Sequence, residues 1–180
     1  MEVYLIRHTT PDVPKGICYG QTDLNVHSSF LAEVNKIRKQ FPYLSTTVDK
    51  VFSSPLQRCT LLAKELFPIN IPLEVDDRLK ELNFGEWEMK AWDEIPLKVL
   101  QPWMDDFVHT PTLGGESYLM LYQRLLQFIE DLKSTDLQKV VIVTHSGVIR
   151  AFKSYYDNTS LENSFEYQIP YGSVCQLIDF

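Results

Sequence analysis

The chain has 180 residues, 44% of them hydrophobic and 12% aromatic, enough for one sizeable core and a single domain over residues 1–180. Seventeen basic against 24 acidic residues leave a net charge of −7. That charge argues against nonspecific binding to nucleic acid or to an anionic membrane, and an anionic ligand would need a local basic pocket.

The start, Met1-Glu2-Val3, has neither a basic segment nor a long apolar stretch, and no run approaches the roughly 18 apolar residues of a membrane span. A soluble, cytoplasmic protein is expected. Cys18, Cys59 and Cys175 are odd in number and far apart, so neither a zinc site nor a disulfide framework is expected. Asn158-Thr159-Ser160 fits a glycosylation sequon but carries no weight without a secretory signal.

Val3-Tyr4-Leu5-Ile6 is an apolar strand that ends in Arg7 and His8. Residues just past the carboxyl end of a buried strand face the ligand crevice of an open α/β sheet. A loop follows from Pro11 to Asp23, turning at Gly16 and Gly20. Phe30, Val34, Ile37 and Phe41 recur at helical spacing and predict a helix from about Ser29 to Gln40, with Lys36, Arg38 and Lys39 outward. Lys50–Ser53 reads as a short strand. Ser54, Pro55 and Gln57 then read as a cap, a first helical residue and a capping-box partner. Leu56, Cys59, Ala63 and Leu66 share one face of that helix, which places Arg58 in its first turn. There an anion could be held jointly by Arg58 and the helix terminus.

Ile71–Val75 predicts another strand. Residues 76–112 are irregular, rich in Trp, Pro and acidic residues, and read as a cap-like insertion with two short helices. Glu116–Lys133 is a helix with a buried stripe of Leu121, Leu125, Phe128, Ile129 and Leu132. Val140–Thr144 is a second core strand leading into His145, Gly147–Tyr155 a helix, and Ser173–Ile178 a last strand. Strands alternating with helices predict an α/β fold with a mostly parallel central sheet flanked by helices.

The chemistry-bearing residues are Arg7, His8, Arg58, Glu81 and His145. Guanidinium groups grip phosphate oxygens and cannot lose their charge. A histidine can attack phosphorus, a second, if protonated, can donate to the equatorial oxygens, and a carboxyl group whose pKa is raised by burial can protonate the leaving alkoxide and then activate water. Cysteine phosphatase spacing, the Walker pattern, GxGxxG, GxSxG and HExxH are all absent.

Five stretches together resemble the histidine phosphatase superfamily, which includes the cofactor-dependent phosphoglycerate mutases. They are Arg7-His8-Thr9, Ser53-Ser54-Pro55-Leu56-Gln57-Arg58, Glu81 with Phe84-Gly85-Glu86-Trp87-Glu88, Gly114-Gly115-Glu116-Ser117 and Val143-Thr144-His145-Ser146-Gly147. The resemblance implies a phosphoglycerate mutase-like three-layer sandwich. It makes His8 the phosphorylated nucleophile, assigns Arg7, Arg58 and His145 to the phosphate pocket and Glu81 to proton donation, and calls for no metal or organic cofactor. Arg7-His8-Thr9-Thr10-Pro11 with Cys18-Tyr19-Gly20-Gln21-Thr22-Asp23 looks most like the α-ribazole phosphatases of cobalamin nucleotide-loop assembly. Thr9, Phe30, Met89 and Ser146 stand where glycine is common in the family, and Asn25-Val26-His27 where a Pro-Leu-Thr turn is common.

The expected partner is therefore a small phosphorylated metabolite, with no nucleic acid and no membrane, and the oligomeric state is left open, a homodimer being one option. Hydrolysis of another phosphomonoester (a sugar phosphate or phosphoserine), mutase chemistry, or an inactive phospho-ligand binder are the alternatives. Glu86 and Glu88 compete with Glu81 as the acid, while Glu116 reads as a helix N-terminal residue. His27 and His109 read as surface residues and Cys18 as an idle thiol. Tyr19, Trp87, Trp92 and Trp103 read first as packing and second as a stacking platform for an aromatic base.

Overall fold

The computed structural model describes residues 1–40, 48–67 and 69–180. Phe41, placed above on the face of the first helix, lies outside the described residues. Five strands form one sheet: β1 (Glu2–Arg7), β2 (Lys50–Ser53), β3 (Leu73–Val75), β4 (Lys139–Thr144) and β5 (Val174–Leu177). Their order is β3-β2-β4-β1-β5, parallel except for β5, which runs antiparallel to β1 at the edge.

Period-2 alternation of the strands divides the core in two. Val3 and Leu5 of β1 and Val140 and Ile142 of β4 face helices α4 (Tyr118–Lys133) and α5 (Ser146–Asp157), where they meet Leu121, Leu125, Ile149 and Phe152. Ile6, Val141 and Val143 point the other way, to Val34 and Ile37 of α1 (Phe30–Gln40) and Leu62 and Leu66 of α2 (Gln57–Leu66). A sheet covered on both faces requires strands that are apolar at nearly every position, as β4 is. The result is the expected three-layer sandwich. Among the described residues no helix is long and apolar enough to cross a membrane.

Residues 76–112 hold one α-helix, α3 (Leu97–Asp105), not two. The rest forms 3-10 turns at Asp77–Leu79, Gly85–Trp87 and Trp92–Glu94. Aromatic packing organises this segment: Trp87 and Ile95 are buried with Cys18, backed by Phe84, Trp92 and Trp103. Met89 sits at φ 66°, a left-handed conformation that costs a residue with a Cβ about 1 kcal/mol and explains why glycine suits that position.

The predicted capping box of α2 does not form. The helix begins at Gln57, whose backbone N–H donates to Asp23 Oδ1 at 2.7 Å, so the cap comes from the distant loop. Asp23 thus sits on the helix terminus that the sequence suggested for a bound anion.

Glu88 fixes that same loop. Its carboxylate accepts from the backbone N–H groups of Gly20 (3.0 Å), Gln21 (2.9 Å), Thr22 (3.1 Å) and Phe84 (3.1 Å), and from the Thr22 hydroxyl. A Cβ at Gly20 would lie 1.8 Å from the Leu82 carbonyl oxygen, so only glycine fits there. Burial alone would raise the pKa of Glu88; the Thr22, Gly20, Gln21 and Phe84 donors outweigh it and hold it below its ordinary value. With the folded pKa depressed, the carboxylate stabilises the fold fully above the unfolded carboxyl range and loses that effect as pH falls through the folded pKa. Glu88→Gln should therefore cost roughly 1–3 kcal/mol at neutral pH, and the gap from wild type should close on acidification. Urea midpoints over a pH series check this; a gap constant with pH contradicts it.

Candidate active site

The pairing register of β1 and β4 builds the site. Arg7 lies opposite Thr144, so His8 and His145, each one residue on, leave the sheet side by side. The backbone N–H of His8 donates to the Thr144 carbonyl at 3.0 Å, and the two rings stand 5.0 Å apart, edge to face. Both lie at the carboxyl ends of parallel strands, where such sheets open a crevice.

Hydrogen bonding fixes each ring's tautomer. His8 Nδ1 lies 2.7 Å from the Thr9 carbonyl oxygen, which can only accept, so Nδ1 carries the proton and Nε2 keeps its lone pair. Arg58 Nη2, which can only donate, lies 3.4 Å from His145 Nδ1, and His145 Nε2–H accordingly donates to Ser54 Oγ at 2.8 Å. Burial, then Arg58 and Arg7, hold the pKa of His8 well below the usual histidine value. For His145 burial acts with His8, Arg58, Arg7 and Arg124 in the same direction.

Both arginines are anchored by carbonyl oxygens. Arg58 is wholly buried and donates to Gly20 at 2.6 Å and Thr22 at 2.8 Å. Arg7 donates to Ile169, and its guanidinium stacks 3.9 Å from the centre of the Tyr171 ring. Among the described residues neither arginine forms an ion pair, so their charge is left for something else.

Glu81 is held at the N-terminus of α5. Its Oε2 accepts from Gly147 N–H (3.1 Å) and the Ser146 hydroxyl (3.3 Å), and its Oε1 from Leu82 N–H (3.1 Å). A Cβ on Gly147 would lie 2.3 Å from Glu81 Oε1, so that glycine makes room for the carboxylate. The competing acids are elsewhere: Glu86 is exposed and Glu88 ties the 20–22 loop. Glu116 lies before α4 rather than in it; its carboxylate pairs with Arg124 at 2.9 Å and accepts from Asn83 N–H at 3.0 Å.

A cavity of about 350 Å³ opens over this floor. Arg7, His8 and Glu81 line it, while Arg58 and His145 lie directly behind, fully buried. Beyond Glu81 the walls are aromatic: Tyr19, Phe84, Trp92, Trp103, Phe107 and Phe165. Trp87, one of four aromatics noted in the sequence, is packing only. His27 and His109 are exposed, and burial pushes the Cys18 thiol up to about 12. Among the described residues no three His, Cys, Asp or Glu side chains are grouped to hold a metal ion.

Sequence reasoning missed three participants. Ser54, read as a helix cap, orients His145. Arg150 lines the cavity; it stacks 4.8 Å over Phe165 and donates through Nε to the Tyr167 carbonyl at 3.1 Å. Its position one helical turn after Ser146 was the available signal. Tyr171 carried none, since no motif surrounds it.

The two histidines should both stay neutral as pH is lowered through 6.5, with His8 protonated at Nδ1 alone. Imidazole nitrogen NMR reads this directly; a ring that charges at or above 6.5 contradicts the geometry.

Known proteins agree with this architecture. The chain is 29% identical over 180 residues to a Hydrogenobacter thermophilus protein named "Putative phosphoserine phosphatase 2", covering 97% of this chain and 88% of that one. It is 25% identical over 155 residues to the adenosylcobalamin/alpha-ribazole phosphatase of Escherichia coli, covering 83% and 75%. The crystal structure of the alpha-ribazole phosphatase from Shigella flexneri superposes with a TM-score of 0.88 at 21% identity, covering 98% and 89%, and so shares the fold. The sequence profile of the histidine phosphatase superfamily (branch 1) matches residues 3–178. The chain belongs to that superfamily.

Proposed function

We propose that this phosphatase hydrolyses a small phosphomonoester through a phosphohistidine on His8, with α-ribazole 5′-phosphate as the foremost substrate. The lone pair on His8 Nε2 attacks phosphorus and the P–O bond to the alcohol breaks. Arg7 at the cavity wall and Arg58 behind it hold the phosphoryl oxygens as negative charge shifts among them, and His145 joins them by turning its Nε2–H from Ser54 to a phosphoryl oxygen. Glu81, in its acid form, gives its proton to the departing alkoxide. The resulting carboxylate takes a proton from water as that water attacks the phosphohistidine, releasing phosphate and restoring His8. No metal enters these steps. Residues 76–112 serve as a cap over the pocket within one domain, and the enzyme works in the cytoplasm.

The aromatic lining carries the substrate assignment. A phosphorylated base and ribose presents a flat apolar ring that such walls accommodate by stacking. Phosphoserine is a poorer match, because its ammonium would meet one carboxylate, Glu81, among the cavity walls. One observation favours it as a second reading: Arg150 offers a cation for a substrate carboxylate.

Phosphate release from α-ribazole 5′-phosphate and from L-phosphoserine, measured in EDTA, tests the assignment. Efficient hydrolysis of the first, falling by roughly 10³-fold or more in His8→Ala, is the expected result. Preference for phosphoserine, abolished by Arg150→Met, would move the assignment to the second reading, and a phosphorylated isomer in place of free phosphate would indicate a mutase. Gly147→Ala, which pushes on Glu81, should lower kcat by roughly 10²-fold with little change in thermal stability; unaltered kcat would remove Glu81 from the mechanism.

A further inference from the structure

Two tyrosines from loops at opposite ends of the chain meet over the site arginines. The hydroxyl oxygens of Tyr19 and Tyr171 lie 2.5 Å apart across a sequence separation of 152 residues. Each ring covers one guanidinium: Tyr171 that of Arg7 at 3.9 Å, Tyr19 that of Arg58 at 5.6 Å. The Tyr171 ring also stands 5.6 Å from the His8 ring.

Each tyrosine belongs to the segment whose carbonyls fix the same arginine. Gly20 and Thr22, beside Tyr19, accept from Arg58. Ile169, two residues before Tyr171, accepts from Arg7, and Gly172 and Ser173 bond to the backbone of His8 and Arg7. Arg7 Nε and Arg58 Nε are buried without a protein partner among the described residues. The plane of each guanidinium therefore depends on its terminal nitrogens and on the ring above it. The phenol pair is a direct side-chain link between the two supporting segments. Burial pushes the Tyr19 hydroxyl pKa up, so it remains a neutral hydrogen-bonding group at working pH.

We propose that the Tyr19–Tyr171 hydrogen bond is a positioning clasp that holds Arg7 and Arg58 in a fixed mutual geometry for gripping a phosphoryl group. The proposal rests on reading those arginines as phosphate-binding. One bond joins the tyrosines, so removing either hydroxyl removes it entirely, and removing both removes nothing more.

The test is a double-mutant cycle of Tyr19→Phe and Tyr171→Phe. Its readouts are inhibition by inorganic phosphate and vanadate, and kcat/KM on a phosphomonoester, with melting temperatures alongside. Each single variant should weaken phosphate inhibition and lower kcat/KM by about 3- to 10-fold, the net effect of one hydrogen bond. The double variant should match the singles rather than multiply them. Tyr171→Leu, which also removes the stacked ring, should fall further. Phosphate affinity unchanged in a folded single variant, or effects that multiply, would overturn the clasp alone. A wild-type protein that binds neither phosphate nor vanadate would overturn the phosphate reading of the arginines and the clasp with it.

Discussion

The constraint on which this structure depends is the burial of positive charge without an acid to neutralise it. Arg58 is completely enclosed, and Arg7 leaves the end of β1 beside it. Both terminal nitrogens of Arg58 and Nη1 of Arg7 donate to carbonyl oxygens of Thr22, Gly20 and Ile169, which provide hydrogen bonds but no compensating charge. Dipoles of that kind make the burial tolerable while leaving the field positive. In a chain whose net charge is −7, this creates the local basic pocket that an anionic ligand needs. Burial first, reinforced by this positive charge, holds the pKa of both histidines well below the usual value, and the proposed attack by His8 needs a neutral nitrogen.

The sheet supplies the precision. A parallel register between β1 and β4 sets Arg7 against Thr144 and brings the two histidines to the same level. Core packing on both faces fixes that register, because a slip of one residue would turn Ile6, Val141 and Val143 away from α1 and α2. Around this rigid floor the remaining parts are irregular: the 20–22 loop gathered by Glu88, the turns of 76–112, and the 169–173 segment under Arg7. Loops carried on a rigid scaffold are where substrate differences are made, and here they bring the aromatic walls.

What could be read from the sequence follows from the same division. β1, β4 and α4 were legible because their apolar residues repeat at the period of the element and the core demands it. Arg7, His8, Arg58, Glu81 and His145 were legible because each stands in a local motif, and the fold gathers all five. The start of α2 was misread: Asp23, which supplies its cap, lies 34 residues from Gln57 and leaves no local trace. Ser54 meanwhile accepts from Leu56 N–H at 3.4 Å and orients His145. Glu116 reads as a helix end, whereas it precedes α4 and is held by Arg124, further along that helix, and by the distant Asn83. Tyr171 and Arg150 act through tertiary contacts alone, so periodicity could not single them out.

The central claim is that His8 carries the phosphoryl group. Rapid acid-free quenching during turnover of a phosphomonoester, followed by mass spectrometry of the peptide containing Arg7 and His8, tests it most directly. The expected result is a phosphoryl group on His8 that is labile in acid, stable in alkali and absent from His8→Ala. A phosphoryl group on any other residue, or steady turnover by the His8→Ala protein, would contradict it.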